Sequence, residues 1–159
     1  MAGFAPKFDP RTFHVTEQRT FDDLKVGETF RNPSRTVTDA HFAAFQLLSG
    51  DNHPIHYDIE HCRAQGHRGL LAHGLQVLSF AAIGAGAFPH QISDRLIAFV
   101  EQSSKFLKGV YSGDTLYTEF TITRLIPQRT TGVVVFGVTI HNQNGELVLS
   151  GEHRLLMRK

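Results

Sequence analysis

A short polar segment, residues 49–58 (SGDNHPIHYD), holds the side chains best suited to acid–base chemistry. Asp51 and His56 lie on either side of Pro54, which stiffens the turn and favours an extended conformation at His53. In a turning loop the carboxylate and the imidazole could face one water molecule, so that one takes a proton while the other orients or donates. From spacing alone, a turn-stabilising Asp and a hydrogen-bonded His explain the segment more simply.

A second candidate group is the backbone at Ala72-His73-Gly74, where an apolar helix is predicted to begin. The first turn of a helix carries free N–H groups and a partial positive charge. A glycine there lets a ligand oxygen approach the backbone closely. The N–H of Gly74 could therefore stabilise a carbonyl oxygen that gains negative charge, as an oxyanion hole does. Close packing of the helix against a sheet would explain the glycine equally well.

The concentration of histidines in this region raises the alternative of a metal site. Zinc accepts three His ligands, or two His and a carboxylate. The sequence has no H-E-x-x-H helix pattern, however, and Pro54 separates the most closely spaced pair. We therefore expect no metal here and no cofactor. The six residues considered as metal ligands are His53, His56, Asp58, His61, His67 and His73.

Helices are predicted in the first part of the chain. Apolar residues with helical spacing follow a capping Thr38 or Asp39, and Ser49-Gly50 ends that helix. A short helical piece is expected over residues 59–64, with Asp58 as its cap. The longest one, buried and apolar, is predicted from about His73 to Phe88.

The pattern after Pro89 is β. Alternating and β-branched residues predict strands at 97–106, 115–126, 132–141 and 146–157. The returns between the last three strands are short, and one contains the hairpin signal Asn144-Gly145, so neighbouring strands must be antiparallel. The sequence therefore predicts an α+β fold in which an apolar helix lies on an antiparallel sheet.

Length and charge exclude several classes of protein. The chain has 159 residues, which suits one domain, and we expect an extended arm over residues 1–20 before a domain at 21–159. With 16 Lys and Arg against 15 Asp and Glu, nothing indicates a nucleic-acid partner. The apolar stretch 70–88 is interrupted by polar residues and glycines, so we expect no membrane span. The single cysteine, Cys62, favours a reducing compartment, and we expect the cytoplasm.

Five segments of the chain carry distinctive motifs, which are LKVGETF, RTVTDAHFAAFQLLSGD, D-x-x-P-I-H-x-D (Asp51 to Asp58), LLAHG and SSKFLKGVYSGD (Ser103 to Asp114). Taken together, these segments resemble the MaoC-like dehydratases, which are relatives of (R)-specific enoyl-CoA hydratase. The resemblance covers about residues 21–157. It implies a hot-dog fold, in which an antiparallel sheet wraps a long central helix. It also implies a homodimer or higher homo-oligomer that binds acyl-CoA near the subunit interface.

The same resemblance implies a hydro-lyase and its residues. Asp51 and His56 would be the catalytic pair, and the N–H of Gly74 would polarise a thioester carbonyl. The reaction would add water to a 2-enoyl thioester to give a 3-hydroxyacyl thioester, and the reverse, with CoA as the carrier of the substrate. His53 stands where the family usually has Asn, and Gly109 falls in a segment that usually contains Pro. The expected substrate-binding residues are Ser49, His53 and His73.

Two other functions fit the same fold. A hot-dog acyl-CoA thioesterase would direct water to the thioester carbonyl instead of the β-carbon. A non-catalytic acyl-CoA-binding module would keep the pocket and tolerate Asp51→Asn. Fold alone does not decide between these chemistries.

Overall fold

One antiparallel sheet dominates the computed structural model, which describes residues 8–159. Its strands run in the order β1-β4-β5-β6-β3, and β2 pairs with the first residues of β4. Every one of these pairings is antiparallel, which confirms the α+β prediction. The strands are β1 (Thr29–Arg31), β2 (Arg35–Thr36), β3 (Leu96–Phe106), β4 (Thr115–Pro127), β5 (Thr131–His141) and β6 (Leu147–Arg158).

The predicted alternation in β4 separates a buried face from an exposed one. Leu116, Phe120 and Ile122 are buried with the intervening Thr118, and they form part of the main hydrophobic core. A tight turn at Asn144-Gly145 joins β5 to β6, with Gly145 at a φ of 74°. That left-handed conformation is accessible to glycine at little steric cost, which is why the hairpin signal was informative.

Within residues 8–159, four short α-helices lie before the long strands, and two of them match their predicted boundaries. The first starts after Thr38, whose backbone N–H donates to His41 Nδ1, and ends at Gly50, which has a φ of 71°. The second is capped by Asp58, whose side chain accepts hydrogen bonds from the backbone at its start. The helices are α1 (Asp39–Ser49), α2 (Ile59–Ala64), α3 (Gly74–Ser79) and α4 (Phe88–Gln91).

The prediction of one continuous helix from about His73 to Phe88 is wrong. The helix α3 stops at Ser79, and a 3-10 helix over Ile83–Ala85 separates it from α4. Tertiary hydrogen bonds stabilise this break. The side-chain amide of Asn32 donates to the carbonyls of Phe80 and Ala82, and the Thr118 hydroxyl also donates to Phe80.

These donors satisfy carbonyls that would otherwise accept from the next turn of the helix. Gly86 adds a second reason for the break. A Cβ at this position would lie 2.9 Å from the Arg31 carbonyl oxygen, so only glycine fits without a shift. A glycine also lowers helix propensity.

The phenylalanines in and beside the helices α1, α3 and α4 are mostly buried. Phe42, Phe80 and Phe88 are in the core, whereas Phe45 is half-buried with its ring 4.7 Å from that of His73. Within the described residues, no helix has both the length and the apolar character needed to cross a membrane.

The predicted arm, residues 1–20, begins outside the described residues. Its later part contains one 3-10 helix, Pro10–Thr12, and is tied to α4 by backbone carbonyls that accept from Gln18 and Arg19. The division into an arm and a domain at residue 21 stays a prediction.

Candidate active site

The loop between α1 and α2 folds tightly because its own side chains satisfy its backbone. The Asp51 carboxylate accepts from the backbone N–H of His53 at 3.1 Å. His53 Nδ1 accepts in turn from the N–H of Ile55, at the start of a 3-10 helix over Pro54–His56. The predicted stiff turn at Pro54 is therefore present, and it presents Asp51 and His56 on the same side.

The tautomer of His56 is set by a carbonyl from elsewhere in the chain. His56 Nδ1 lies 2.5 Å from the carbonyl oxygen of Leu71. A carbonyl oxygen can only accept, so Nδ1 carries the proton and Nε2 of the neutral ring presents a lone pair. That Nε2 lies 4.0 Å from Asp51 Oδ2. The gap is too long for a direct hydrogen bond and suits one solvent molecule in contact with both groups.

The Leu71 carbonyl is held in place by strand-like pairing. Leu71 forms an isolated antiparallel bridge with Tyr111, and its neighbour Ala72 donates to the Val110 carbonyl at 2.8 Å. The turn that follows is anchored by buried Asp114, which accepts from the backbone N–H of Tyr111. The orientation of His56 therefore depends on residues more than fifty positions later in the chain.

The segment AQGHR at residues 64–68 contributes to the same anchor. Arg68 ion-pairs with Asp114 at 2.5 Å, and its guanidinium lies over the Tyr111 ring, 4.2 Å from the centroid. Burial by itself would raise the pKa of Asp114, but the hydrogen bonds from Arg68 and Gln143 outweigh it and lower that pKa. We therefore assign a structural role to Arg68.

A second imidazole completes the cluster. His73 is buried and stacks on His56, with ring centroids 3.6 Å apart and planes 21° from parallel. Its Nδ1 lies 2.8 Å from Gln76 Oε1, and its Nε2 lies 3.1 Å from the Tyr57 hydroxyl and 4.0 Å from Asp51 Oδ2. The sequence prediction placed His73 among the substrate-binding residues, and the structure places it beside Asp51 and His56.

Tyr57 and Gln76 are two site residues that the sequence analysis missed. Gln76 stands three residues after His73, which is the spacing of a capping box, and this is the signal that could have identified it. Tyr57 directly follows His56 in the chain. Burial raises the pKa of its hydroxyl, so it stays protonated and can donate to His73.

The charges of Asp51 and His56 follow from these contacts. The backbone N–H of His53 lowers the pKa of the Asp51 carboxyl, and the nearby histidines lower it further. Burial lowers the pKa of His56, although its bond to the Leu71 carbonyl opposes that effect. At neutral pH the pair therefore consists of a carboxylate and a neutral imidazole, and both can accept a proton from the same molecule.

Gly74 begins α3, directly after His73, so its N–H has no acceptor within the helix. A Cβ at this position would lie 3.2 Å from the ring of Phe106, and a cavity of about 340 Å³ separates this helix start from residues 106–110. Gly109 borders the same cavity, close to Leu71 and Tyr111. A ligand carbonyl in this cavity would have access to the backbone of Gly74.

The other two predicted substrate-binding residues lie on the exposed rim of the loop. The Ser49 hydroxyl donates to the Phe45 carbonyl at 2.7 Å and accepts from the N–H of Asp51, so it supports the loop. The His53 ring lies 6.3 Å from that of His56. Roles in substrate binding for Ser49, His53 and His73 stay predictions.

The structure brings together only part of the histidine-rich set considered for a metal. Of that set, His56 and His73 come together, and their ligating atoms lie within 4.8 Å of each other and of Asp51, which was not in the set. His67 lies against Tyr111 instead. An ion bound by two imidazoles must lie near both ring planes. The planes of the stacked His56 and His73 rings are almost parallel, so they do not meet within coordination distance of both nitrogens. This geometry does not suit zinc, and the expectation of a metal-free site stays a prediction.

A second, larger cavity lies where the central helix is broken. Its volume is about 400 Å³, and it lies between the residues of that break and the β3–β6 edge of the sheet. Its wall is almost entirely apolar, although it contains His153 and Gln102. The lining residues are Leu78, Ser79, Ala81, Ala82, Ile83, Gly84, Pro89, Leu96, Phe99, Gln102, His153 and Leu155.

Comparison with protein families identifies the chain. Residues 23–144 match the model of the MaoC like domain. The chain belongs to the MaoC-like domain family. The resemblance seen in the motifs is therefore confirmed.

Relatives of this MaoC-like protein include two enzymes with descriptive names. It is 26% identical over 137 residues to an (R)-specific enoyl-CoA hydratase of Rhodospirillum rubrum, covering 86% of this chain and 90% of the relative. It is 29% identical over 140 residues to a mitochondrial 3-hydroxyacyl-[acyl-carrier-protein] dehydratase of Arabidopsis thaliana, covering 87% of this chain and 79% of the relative.

A solved structure confirms the fold of the MaoC-like protein. A Mycobacterium tuberculosis protein described as having a double hotdog fold superposes with a TM-score of 0.75 at 28% identity. The match covers 89% of this chain and 44% of that one. The fold is thus the hot-dog fold, here with a central helix in pieces.

Proposed function

We propose that this protein is a hydro-lyase that adds water to the β-carbon of a 2-enoyl thioester and catalyses the reverse dehydration. The observation that carries the proposal is the 4.0 Å separation of Asp51 Oδ2 and His56 Nε2, two acceptors that face the same space. The names of the relatives, a hydratase and a dehydratase, support the same class of reaction. Neither group needs a cofactor to act on water.

In the proposed hydration, the water molecule lies between the two acceptors. His56 Nε2 takes one proton of the water and Asp51 orients the other, while the oxygen bonds to the β-carbon. The electron pair of the double bond moves toward the thioester oxygen, which gains negative charge near the N–H of Gly74. The His56 imidazolium then delivers its proton to the α-carbon, so the product carries the added hydrogen and hydroxyl.

Preorganisation explains why this arrangement would be effective. The Leu71 carbonyl and the loop contacts hold His56 and Asp51 before substrate arrives, so little reorganisation accompanies the reaction. A single fixed donor at a developing oxyanion contributes about 3–4 kcal/mol in studied enzymes. We propose that the carrier is CoA and that the 400 Å³ cavity takes the acyl chain, because it is apolar and α3 connects it to Gly74.

We also propose that a second copy of the chain binds along β3. This strand ends the sheet, and it exposes large apolar side chains, with Phe99 52% and Val100 49% exposed. A long apolar edge strand is a template for pairing with another strand. Phe106 ends this strand and borders the cavity at Gly74, so the interface would lie beside the site. Val100→Asp should convert a dimer to a monomer in light scattering.

A cytoplasmic location stays a prediction from the single cysteine.

The decisive experiment separates hydration from hydrolysis. Purified protein is mixed with 2-enoyl-CoA thioesters of short and long chain length, and loss of the enoyl absorbance is followed beside release of free thiol. Loss of absorbance without thiol supports a hydro-lyase. Thiol release identifies a thioesterase, and saturable binding with neither signal identifies a binding module.

A further inference from the structure

The 400 Å³ cavity contains polar atoms that nothing in the structure satisfies. Gln102 Nε2 and both ring nitrogens of His153 are buried without a hydrogen-bond partner among the described residues. Both side chains line the cavity, whose wall is otherwise almost wholly apolar. Buried polar groups in native proteins nearly always have a partner, so this pair needs an explanation.

The sheet places the two side chains next to each other. Gln102 on β3 is the cross-strand partner of His153 on β6, so both point to the same face. A shift in register between Phe99 and Glu101 adds one residue to β3. Residues three apart, Phe99 and Gln102, can therefore both face the cavity, which a regular strand would not allow.

The His153 side chain packs against aromatic rings. These rings do not accept a hydrogen bond from an imidazole N–H as a carbonyl oxygen would. His153 is 4% exposed, with Phe99 edge-on at 5.0 Å between centroids and Phe120 at 6.0 Å. Burial in this environment lowers its pKa to about 4, so the ring is neutral near pH 7 and offers one donor and one acceptor. Gln102 Nε2 adds a donor beside it.

These properties restrict which chemical group could form hydrogen bonds with both Gln102 and His153. The residues that line the cavity include no Lys or Arg, so a carboxylate would enter without a positive partner. A neutral oxygen can accept from Gln102, and a hydroxyl can also donate to the imidazole. An unsubstituted alkyl chain would leave all three nitrogens unpaired.

We propose that the acyl groups accepted by this protein carry a hydroxyl or ketone oxygen along the chain, which Gln102 Nε2 and the His153 imidazole bind. This proposal rests on the proposed function, because it takes the cavity as the acyl site. It narrows the substrate class from unsubstituted acyl thioesters to oxygenated ones.

The test uses matched thioesters and the unaltered protein. An eight-carbon 2-enoyl-CoA is compared with analogues that carry one hydroxyl or one ketone at each carbon beyond C4. We expect kcat/KM for the best analogue to exceed that of the plain substrate by about tenfold, the effect of one well-placed hydrogen bond. If no analogue exceeds the plain substrate, water or a second subunit satisfies the pair and the proposal is wrong.

Variants of Gln102 and His153 test whether these side chains cause the preference for oxygenated substrates. Gln102→Leu and His153→Leu should each bring the ratio of the two kcat/KM values close to one, mainly by improving the plain substrate. Ser79→Ala is the matched control. Its hydroxyl also lines the cavity but already donates to the Gln76 carbonyl at 2.6 Å, so the ratio should stay as in the wild type. A wild-type ratio in both Leu variants would remove these residues from recognition.

A binding measurement distinguishes failure of this proposal from failure of the proposed function. The affinities of saturated octanoyl-CoA and its oxygenated analogues are measured by calorimetry, which requires no turnover. Preferential binding of an analogue without any hydration would support the proposed oxygen-binding site and contradict the proposed hydro-lyase activity. Hydration with no preference in either assay would retain the hydro-lyase and reject the oxygen site.

Discussion

Two histidines in this protein are held in opposite ways. His56 donates to the Leu71 carbonyl and faces the Asp51 carboxylate, so its tautomer and orientation are set. The ring nitrogens of His153 have no hydrogen-bond partner within residues 8–159, and the ring packs against two phenylalanines. Burial lowers the pKa of both rings, yet of the two only His56 has a hydrogen bond that fixes its tautomer and leaves the Nε2 lone pair facing Asp51.

The difference shows that a lowered histidine pKa does not by itself identify a catalytic base. Desolvation favours the neutral form of any buried imidazole, whether or not the ring takes part in a reaction. Base catalysis also needs a fixed donor on one nitrogen and a reachable proton at the other. In the proposed reaction His56 satisfies this requirement, whereas His153 can serve as a neutral contact in an apolar wall.

The largest expected effect on activity comes from substitutions at His56 and at its neighbour Asp51. Asp51→Asn and His56→Ala should each lower kcat for enoyl-CoA hydration at least about 100-fold, because each removes an acceptor for the protons of water. Circular dichroism should show that both variants fold. Glu60→Gln, on the exposed face of α2, is the control that should retain activity. Unchanged turnover in either site variant would remove that residue from the mechanism.

The second prediction concerns stability at acid pH and applies to His153. Its pKa is about 4 in the folded protein against an ordinary 6.5, so the unfolded chain binds more protons between these values. The free energy of unfolding should therefore rise with pH from 4 to 6.5 and level off above, by about 3 kcal/mol from this group.

Urea unfolding at several pH values measures this dependence. His153→Leu and His153→Gln should both lose that part of the slope, because neither side chain titrates. A slope equal to that of the wild type in both variants would contradict a buried neutral His153.

A smaller effect is expected at the start of α3. Gly74→Ala adds a methyl group close to the Phe106 ring, at the N–H proposed to bind the thioester oxygen. We expect kcat to fall about 10- to 100-fold, since small displacements of a reacting group have effects of this size. Gly69→Ala is the matched control, because a Cβ there meets nothing within 4 Å. Equal losses in both variants would indicate a general effect on folding.

The smallest effect is a displacement of the pH profile. Since burial lowers the pKa of His56, the ring stays neutral to a lower pH than an ordinary histidine. The acid limb of kcat/KM should therefore have its midpoint below 6.5, with full activity at neutral pH. A midpoint above 6.5 would contradict the lowered pKa of His56. Activity that falls as the pH rises through 6.5 would show that the protonated ring is the active form.

Local sequence determined those elements whose hydrogen bonds close within a few residues. The cap and end of α1, the stiff turn from Asp51 to His56 and the hairpin at Asn144-Gly145 were all predicted, because their signals lie in adjacent positions. Alternation along β4 likewise identified its buried face.

Only the tertiary structure decided the features that depend on distant partners. Asn32 and Thr118 cap the carbonyls at the break in the central helix, and the Leu71 carbonyl sets the tautomer of His56. The sequence places His153 in an alternating strand and does not indicate the cavity beside it, which exists because the central helix is broken. Hydrophobic periodicity records which face is buried, but it does not record which polar group from elsewhere meets a given carbonyl or ring.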